Sequence, residues 1–447
     1  MSTIFAQCSG SGKSGVVVYR ISGPSSISIL TKLIGRSTAS MNPRTMYFRK
    51  IFNPNTGAQI DEAMVVYFNA DSSFTGEESV EIHAHGSIAV MKLLNQSLLL
   101  MDNLRLAEPG EFAKRAFLND KFDLTAAEGL VDLIDAETEA QHKQAIRQLG
   151  GGLEKIYTNW RVQLLKIMSL IEAYIDFPDE DIPHEMLINI KDNINNLCHE
   201  ISNHLKDNNR GERLRSGLKL AIVGKPNVGK SSLMNCLLKR EAAIVSNIAG
   251  TTRDVIEGHL DIGGYPIIIQ DTAGIREHSS DKIEQIGIKK AKEVLEHSDI
   301  KIIMYDALEF NVKDVDPFAD FIDDNTIVVF NKVDEMSAVI LEENNDDKNQ
   351  LYISVKTGKN IDQLMELVHS IAERIASPSE NPQITRERHR TQLSQALESL
   401  SSFDIENDLV LAAEDIRMTI RYLSNITGAI TVDEILGEIF SSFCIGK

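Results

Sequence analysis

The stretch GKPNVGKSSLMN, Gly224 to Asn235, constrains this chain more than any other. It carries the spacing GxxxxGK[ST], follows the apolar run LKLAIV and leads into helix-forming residues. Glycines at both ends let the backbone wrap so that its N–H groups face a β-phosphate. The lysine then reaches the β/γ oxygens, and the next hydroxyl binds Mg²⁺. A strand–loop–helix unit is needed to present Gly224, Asn227, Val228, Gly229, Lys230, Ser231 and Ser232 in this way. A second Gly-Lys-Ser lies in CSGSGKSG, Cys8 to Gly15, but Gln7 stands where its first glycine belongs. It also leads into a strand, VVVYRIS, where the pattern needs a helix, so it reads as a decoy.

Downstream, LKLAIVG, YPIIIQD, KIIMYDA, TIVVFNK and QLYISV alternate with helical or turn-rich sequence, which predicts a mostly parallel, doubly wound sheet. Three strand ends carry chemistry. DTAG places Asp271 to reach Mg²⁺ through water and Gly274 to offer its N–H to a γ-phosphate, with Thr272 and Ala273 between them. In NKVD, Asn331 and Lys332 precede Asp334, which can accept two hydrogen bonds from the N1–H and 2-amino group of guanine. Adenine would meet it with an unprotonated N1, so this residue selects GTP. SVK, Ser354-Val355-Lys356, resembles the Ser-Ala-Lys base loop of GTPases. Between the phosphate loop and DTAG lies SNIAGTTRD, with Ser246, Asn247, Ile248, Ala249, Gly250, Thr251 and Thr252. Thr252 would complete the Mg²⁺ coordination begun by Ser231, and a γ-phosphate would order the loop. Ras-like GTPases put a water-orienting Gln after the DTAG-type glycine, whereas Ile275 stands here. Glu284, in DKIEQIG, is a candidate to orient water through a second water. Read alone, it is more readily a surface carboxylate on a helix.

At 447 residues, 43% hydrophobic and 25% charged, the chain has room for about three globular domains. No run approaches the roughly 18 apolar residues of a membrane span, and a cytoplasmic protein is expected. The four cysteines are scattered without CxxC pairing. The net charge of −19 repels polyanions, so a nucleic-acid role needs a local basic patch or a partner that supplies one. Residues 1–118 read as α+β. From Asn119 the period changes: Trp160, Leu164, Ile167, Ile171 and Ile175, then Leu187, Ile190, Ile194, Leu197, Ile201 and Leu205, mark two long amphipathic helices, expected to be antiparallel. The α/β segment fills 216–376, and after SPSENPQ helical sequence returns over 377–447. The simplest arrangement is an α/β domain inserted into a helical domain formed by 119–215 and 377–447.

With GKPNVGKSS, IAGTTRD, DTAGIRE and the terminal SSFCIGK in hand, the sequence resembles the MnmE (TrmE) family of tRNA modification GTPases. The likeness runs the length of the chain, through RISGP, SFTGEESVEIHAHG, PGEFAKRAFLNDKFDLTAAEGLVDLIDAET and YIDFPDE. It implies an N-terminal α+β domain that dimerises and binds folate, a helical domain, and an inserted Ras-like P-loop GTPase domain. It also implies a homodimer working with the FAD-containing partner MnmG. Together they would add an aminomethyl or carboxymethylaminomethyl group at C5 of the wobble uridine of certain tRNAs, held mainly through MnmG. The one-carbon unit would come from a tetrahydrofolate derivative, in 5,10-methylene or 5-formyl form, contacted by Arg20, Glu81, Lys121 and Lys447, with Cys444 in a supporting role.

The same resemblance implies activation by pairing of nucleotide domains, with K⁺ in place of an arginine finger. The matching K⁺ ligands are Asn227, Ser246, Ile248 and Thr251, and Glu284 gains its catalytic role by this correspondence. Two positions depart from the pattern. The usual His-Gly-Gly reads His85-Gly86-Ser87, where Ser resists torsions open to Gly, and the base loop carries Val355. A ribosome-assembly GTPase is an alternative, but it predicts a basic appended module, and none is visible. A pure interaction switch, with the folate residues incidental, is another. Folate binding by the N-terminal domain separates it from the first reading.

Overall fold

Period-two alternation builds the first sheet. The computed structural model describes residues 2–10, 12–177, 184–240, 257–270, 281–309, 317–336, 349–377, 381–429, 433–441, 443, 444 and 446, leaving aside the side chains of 184, 257, 281–287, 433–435 and 438. By contact the chain divides into two units, Met1–Val131 with Leu149–Pro183 and Ser402–Lys447, and Asp132–Gln148 with His184–Ser401.

In the first unit, strands β1 (Thr3–Gln7), β2 (Ser14–Ser22), β3 (Tyr47–Phe52), β4 (Gln59–Phe68), β5 (Ser79–Gly86) and β6 (Leu104–Leu106) form a sheet in the order β3-β4-β5-β2-β1-β6. All pairs are antiparallel except β1 with β6. Val17, Tyr19 and Ile21 alternate onto one face with Val80 and Ile82, where α1 (Ser26–Ile34) and α2 (Ile88–Leu99) cover them with Ile29, Leu30, Leu33, Leu94 and Leu98. Each such side chain contributes roughly 1.5–3 kcal/mol by leaving water. The other face of β1, through Ile4 and Ala6, packs on Phe112 of α3 (Glu111–Leu118). The helices α4 (Leu124–Asp135, as far as Val131), α6 (Gly152–Asp176), α13 (Leu409–Thr427) and α14 (Asp433–Ser441) complete this unit, α6 lying along α13 and α14 on α3. CSGSGKSG leads from the end of β1 into the first residues of β2, its antiparallel partner. A chain that turns from strand to strand offers no helix N-terminus to a phosphate, in keeping with its rejection.

The second unit holds α5 (Glu139–Leu149), α7 (His184–Leu205), α8 (Arg210–Ser216) and α12 (Glu387–Ser402) together with the α/β fold, apart from a terminal residue of α5 and of α12. By contact, the helical residues of 119–215 and 377–447 fall in both units. The helical pattern of α7 resumes through RGERLRS as α8 and stops at Gly217, whose φ of 85° ends it. Six strands follow: β7 (Leu218–Gly224), β8 (Glu257–Ile262), β9 (Tyr265–Gln270), β10 (Ile300–Asp306), β11 (Thr326–Asn331) and β12 (Gln350–Tyr352), in the order β12-β11-β10-β7-β9-β8. All neighbours are parallel except β8 with β9. Helices α9 (Lys230–Arg240), α10 (Asp281–Glu296) and α11 (Ile361–Ala376) flank the sheet. Leu233 and Leu237, one turn apart on α9, seat it on Leu220, Ile222 and Met304. The strand β8 is an edge strand that the apolar runs alone do not mark.

Candidate functional site

The parallel sheet fixes a direction: every loop that leaves the C-terminal end of β7, β10, β11 or β12 opens at the same pole, where ligands of doubly wound folds bind. The loop after β7 turns through three left-handed residues, Gly224 (φ 154°), Asn227 (φ 64°) and Gly229 (φ 105°). A Cβ on Gly224 would stand 2.3 Å from the Met304 carbonyl oxygen of β10, and one on Gly229 would stand 2.4 Å from Asn331 Nδ2. Both glycines are thus required by contact as well as by torsion. Lys230 Nζ donates back to the Gly224 and Lys225 carbonyls, at 3.0 and 2.8 Å, which holds the ammonium at the mouth of the loop. Ser231 and Ser232 follow in the exposed first turn of α9, and Val228 is buried beneath the loop.

Asn331 ties three loops together. Buried at the end of β11, its Nδ2 donates to the Val228 carbonyl at 2.8 Å and its Oδ1 accepts from the Val355 N–H at 3.1 Å. The base-loop contact is made by backbone, so Val355 in place of Ala alters nothing in it. Ser354 Oγ donates to Asp334 Oδ1 at 2.6 Å, and Lys356 Nζ stands 3.8 Å from Asp334 Oδ2. The Ser354 hydrogen bond holds the Asp334 carboxyl below its usual range, so it is ionised and accepts hydrogen bonds. Lys332 Nζ lies 2.5 Å from Asp306 Oδ2. Burial alone would raise the Asp306 carboxyl, but the hydrogen bonds from Lys332 and the Leu308 N–H outweigh it and hold it low. Asp306, which ends β10, escaped the sequence reading. Its signal is that KIIMYDA closes on an acid at the same pole as the other loops. The residues Ser246, Asn247, Ile248, Ala249, Gly250, Thr251, Thr252, Asp271, Thr272, Ala273 and Gly274 lie outside the described residues. Glu284 lies within α10, and its side chain is likewise outside them.

A second constellation forms on the first sheet. Arg20 of β2 and Glu81 of β5 are register partners, pointing to the face opposite Tyr19 and Ile82. Arg20 Nε and Nη2 both donate to Glu81 Oε1, at 3.0 and 2.9 Å, while His83 Nε2 lies 3.3 Å from Oε2. The guanidinium sits 5.0 Å from the Phe74 ring centre and 5.6 Å from that of Phe112. Lys121 Nζ donates to the Asp71 carbonyl at 2.8 Å. Behind this face Arg115 bridges Glu77 (2.8 Å) and Glu111 (2.9 Å), and Arg105 also pairs with Glu111. Burial would raise the Glu111 carboxyl, yet hydrogen bonds from Arg105, the Glu108 N–H and Arg115 hold it down at about 2. The rings and the Arg115 network were missed because neither Phe74 nor Phe112 differs in sequence from a core aromatic. A carboxylate beside a guanidinium that lies over two aromatic rings suits a flat ring that bears N–H donors.

The tail reaches β1, the strand beside β2. Phe440 and Phe443 pack with Ala113 and Phe117, and a Cβ on Gly446 would stand 2.0 Å from the Gln7 carbonyl oxygen. Gln7 pairs with Tyr19, the neighbour of Arg20. The exposed Cys444 accepts through its carbonyl from the Gly110 N–H at 3.5 Å, and Lys447 lies outside the described residues. Ser87 has φ −84° and caps α2, its Oγ accepting from the Val90 N–H, so this position needs no glycine.

Comparison with known proteins identifies the family. Residues 3–121 match the model of the GTP-binding protein TrmE N-terminus, and residues 124–444 match that of the MnmE helical domain. The tRNA modification GTPase MnmE of Rickettsia canadensis is 58% identical over 449 residues, covering 100% of both chains. Proteins of the same name from Rickettsia akari and Rickettsia typhi are 57% and 56% identical, again over 100% of each chain. The solved G domain of the T. maritima FeoB iron transporter is 24% identical over 35% of this chain and 98% of its own, at a TM-score of 0.25 that adds no weight. Matched over its whole length by these relatives and over most of it by the two family models, the chain belongs to the MnmE (TrmE) family of tRNA modification GTPases.

Proposed function

We propose that the chain is a GTP-hydrolysing enzyme that, with the FAD-bearing partner MnmG, modifies C5 of the wobble uridine in certain tRNAs. The modification would add an aminomethyl or carboxymethylaminomethyl group built on a folate one-carbon unit. The observation that carries the GTP part is Asn331 fastening the phosphate loop at Val228 to the base loop at Val355 beside an ionised Asp334. Asp334 would read the guanine edge, Lys230 would turn from its loop carbonyls to the phosphates, and Ser231 with Thr252 would hold Mg²⁺. Asn227, held at φ 64°, would offer its side-chain oxygen to K⁺ with Ser246, Ile248 and Thr251, and Glu284 would orient the attacking water. Bound Mg²⁺ and K⁺ would supply positive charge beside the phosphates, and a bound tetrahydrofolate derivative the one-carbon unit.

The Arg20–Glu81 pair, its guanidinium over Phe74 and Phe112, fits the pterin ring of such a folate: Glu81 would accept from its donor edge beside the apolar rings. Lys121 and Lys447 suit the anionic tail, and Gly446 against Gln7 supports placing the terminal segment, with Cys444, beside that site. The chain would act in the cytoplasm as a homodimer. No helix among the described residues is long and apolar enough to cross a membrane.

The experiment is to incubate the full chain with MnmG, unmodified tRNA, GTP and methylene-tetrahydrofolate and to analyse the tRNA nucleosides. Modified wobble uridine that disappears when either GTP or folate is withheld is the expected result. Modification independent of folate would favour the interaction-switch reading.

A further inference from the structure

At the pole of the α/β fold away from the nucleotide loops, a cleft of about 460 Å³ opens between the α7–α8 turn, the start of β11 and the last turn of α11. The polar groups on its walls are Asn208, Asn209, Arg210, Arg213, Asn325 and Arg374, and no carboxylate lines it. In a chain of net charge −19 this is a local reversal of sign. All three cations are arginines, whose planar forks match the paired oxygens of a phosphate better than a lysine does.

The three are differently engaged. Arg213 pairs with Asp299 at 3.0 Å, beside the cleft. Arg374 donates to the Asp324 carbonyl at 2.5 Å and to Asn325 Oδ1 at 2.9 Å, which steadies it, and its nearest carboxylate, Asp324, is 4.0 Å away and 97% exposed. Such an ion pair neutralises little. The Arg210 guanidinium has no hydrogen-bond or ion-pair partner among the described residues. Its backbone is fixed by N–H donation to the Asp207 carbonyl, after two residues in the left-handed region, Asn208 (φ 55°) and Asn209 (φ 57°). One guanidinium is therefore free, one is steadied and one is half-neutralised around a single cleft. β11 runs six residues from this cleft to Asn331, about 20 Å at 3.3 Å per residue, so GTP in its own site cannot fill it.

We propose that this cleft seats a backbone phosphate of RNA. Resting on the reading of the chain as a tRNA-modifying enzyme, it is the patch through which an acidic protein touches its tRNA directly. Such a contact positions the polynucleotide without reading its sequence, and it releases counterions, which gives it a measurable salt signature.

The test is tRNA binding by the full chain, titrated over a range of KCl concentrations, for the native protein, Arg210→Glu and Arg210→Lys. The expected result is that Arg210→Glu weakens binding about tenfold and lowers the slope of log K against log salt by about one, with Arg210→Lys between the two. An unchanged thermal midpoint shows that the fold is intact, since Arg210 has no side-chain partner to lose. Native affinity and slope in Arg210→Glu would overturn the proposal. So would a cleft that serves free phosphate only: inorganic phosphate would then raise the thermal midpoint of the native chain and not of Arg210→Glu, at equal ionic strength, with tRNA affinity equal in both. If the native chain binds no tRNA, alone or with MnmG, the functional reading itself fails and the proposal with it.

Discussion

Asp334 and Asn331 divide one task between two side chains three residues apart. Asn331 has spent both ends of its amide on Val228 and Val355 and builds the wall of the site, while Asp334 keeps acceptor capacity beyond its bond from Ser354. An amide at 334 would offer an N–H₂ where guanine also presents donors. Asp334→Asn should therefore weaken GTP binding by about two orders of magnitude, yet bind xanthosine triphosphate, whose 2-oxo group accepts. Competition of the two nucleotides for a fluorescent analogue checks this, and unchanged preference for GTP would remove Asp334 from base recognition. Most of this site was legible in sequence because its spacing is dictated by the ligand: GKPNVGKS, NKVD and SVK each end or follow an apolar run. What sequence withheld was the mortar between the loops. That Gly229 abuts Asn331 Nδ2, or that Asp306 holds Lys332, depends on which strands are neighbours.

At the scale of elements, helix starts carry more than geometry. Asp123 opens α4, its Oδ1 accepting from the Ala126 N–H at 2.8 Å and from Thr125 Oγ1 at 2.9 Å. Burial pushes its carboxyl up to about 6 against these bonds. The folded protein thus keeps a proton that the unfolded chain gives up near its ordinary 3.8, and the stabilisation present below that value is lost as pH rises through about 6. Asp123→Asn caps the helix through its amide oxygen and has nothing to titrate. Its stability relative to the native chain should rise across pH 4 to 6 by about 1–2 kcal/mol, read from urea midpoints. A constant difference would show that Asp123 stays ionised. The strand β8 shows why some elements were hidden: in EGHLDI only Leu260 and Ile262 are apolar and buried, too short a run to announce a strand. The pairing of α6 with α13 was equally hidden, since an amphipathic stripe shows which face is buried and not what covers it.

For the whole molecule, the proposal of activation by paired nucleotide domains predicts a rate that depends on both cation and protein concentration. GTP hydrolysis measured in KCl and in NaCl at equal ionic strength should be at least tenfold faster in KCl, and should rise with concentration only there. Equal slow rates in both salts would leave nucleotide binding intact and remove the cation from the mechanism. In sequence, composition and period change near 216 and 376, and the strands and flanking helices of the second sheet run from Leu218 to Ala376. Sequence could not show that each unit takes helices from both sides of the insertion, because no local pattern records a contact between residues hundreds of positions apart.

That division has a consequence during synthesis. The parallel sheet is contiguous, from Leu218 to Tyr352, and with α11 in place it can close while the ribosome is still working. The first unit cannot, because its third piece begins only at Ser402 and brings in α13, α14 and the glycine that rests on Gln7. Strands made first thus wait for helices made last. A finished insert between them shortens the loop to be closed, since a folded body spans little distance for its many residues. The nascent chain should acquire nucleotide affinity before it can form the Arg20–Glu81 site in full, and a chain cut short before α14 would bind GTP while its other chemistry stayed unbuilt.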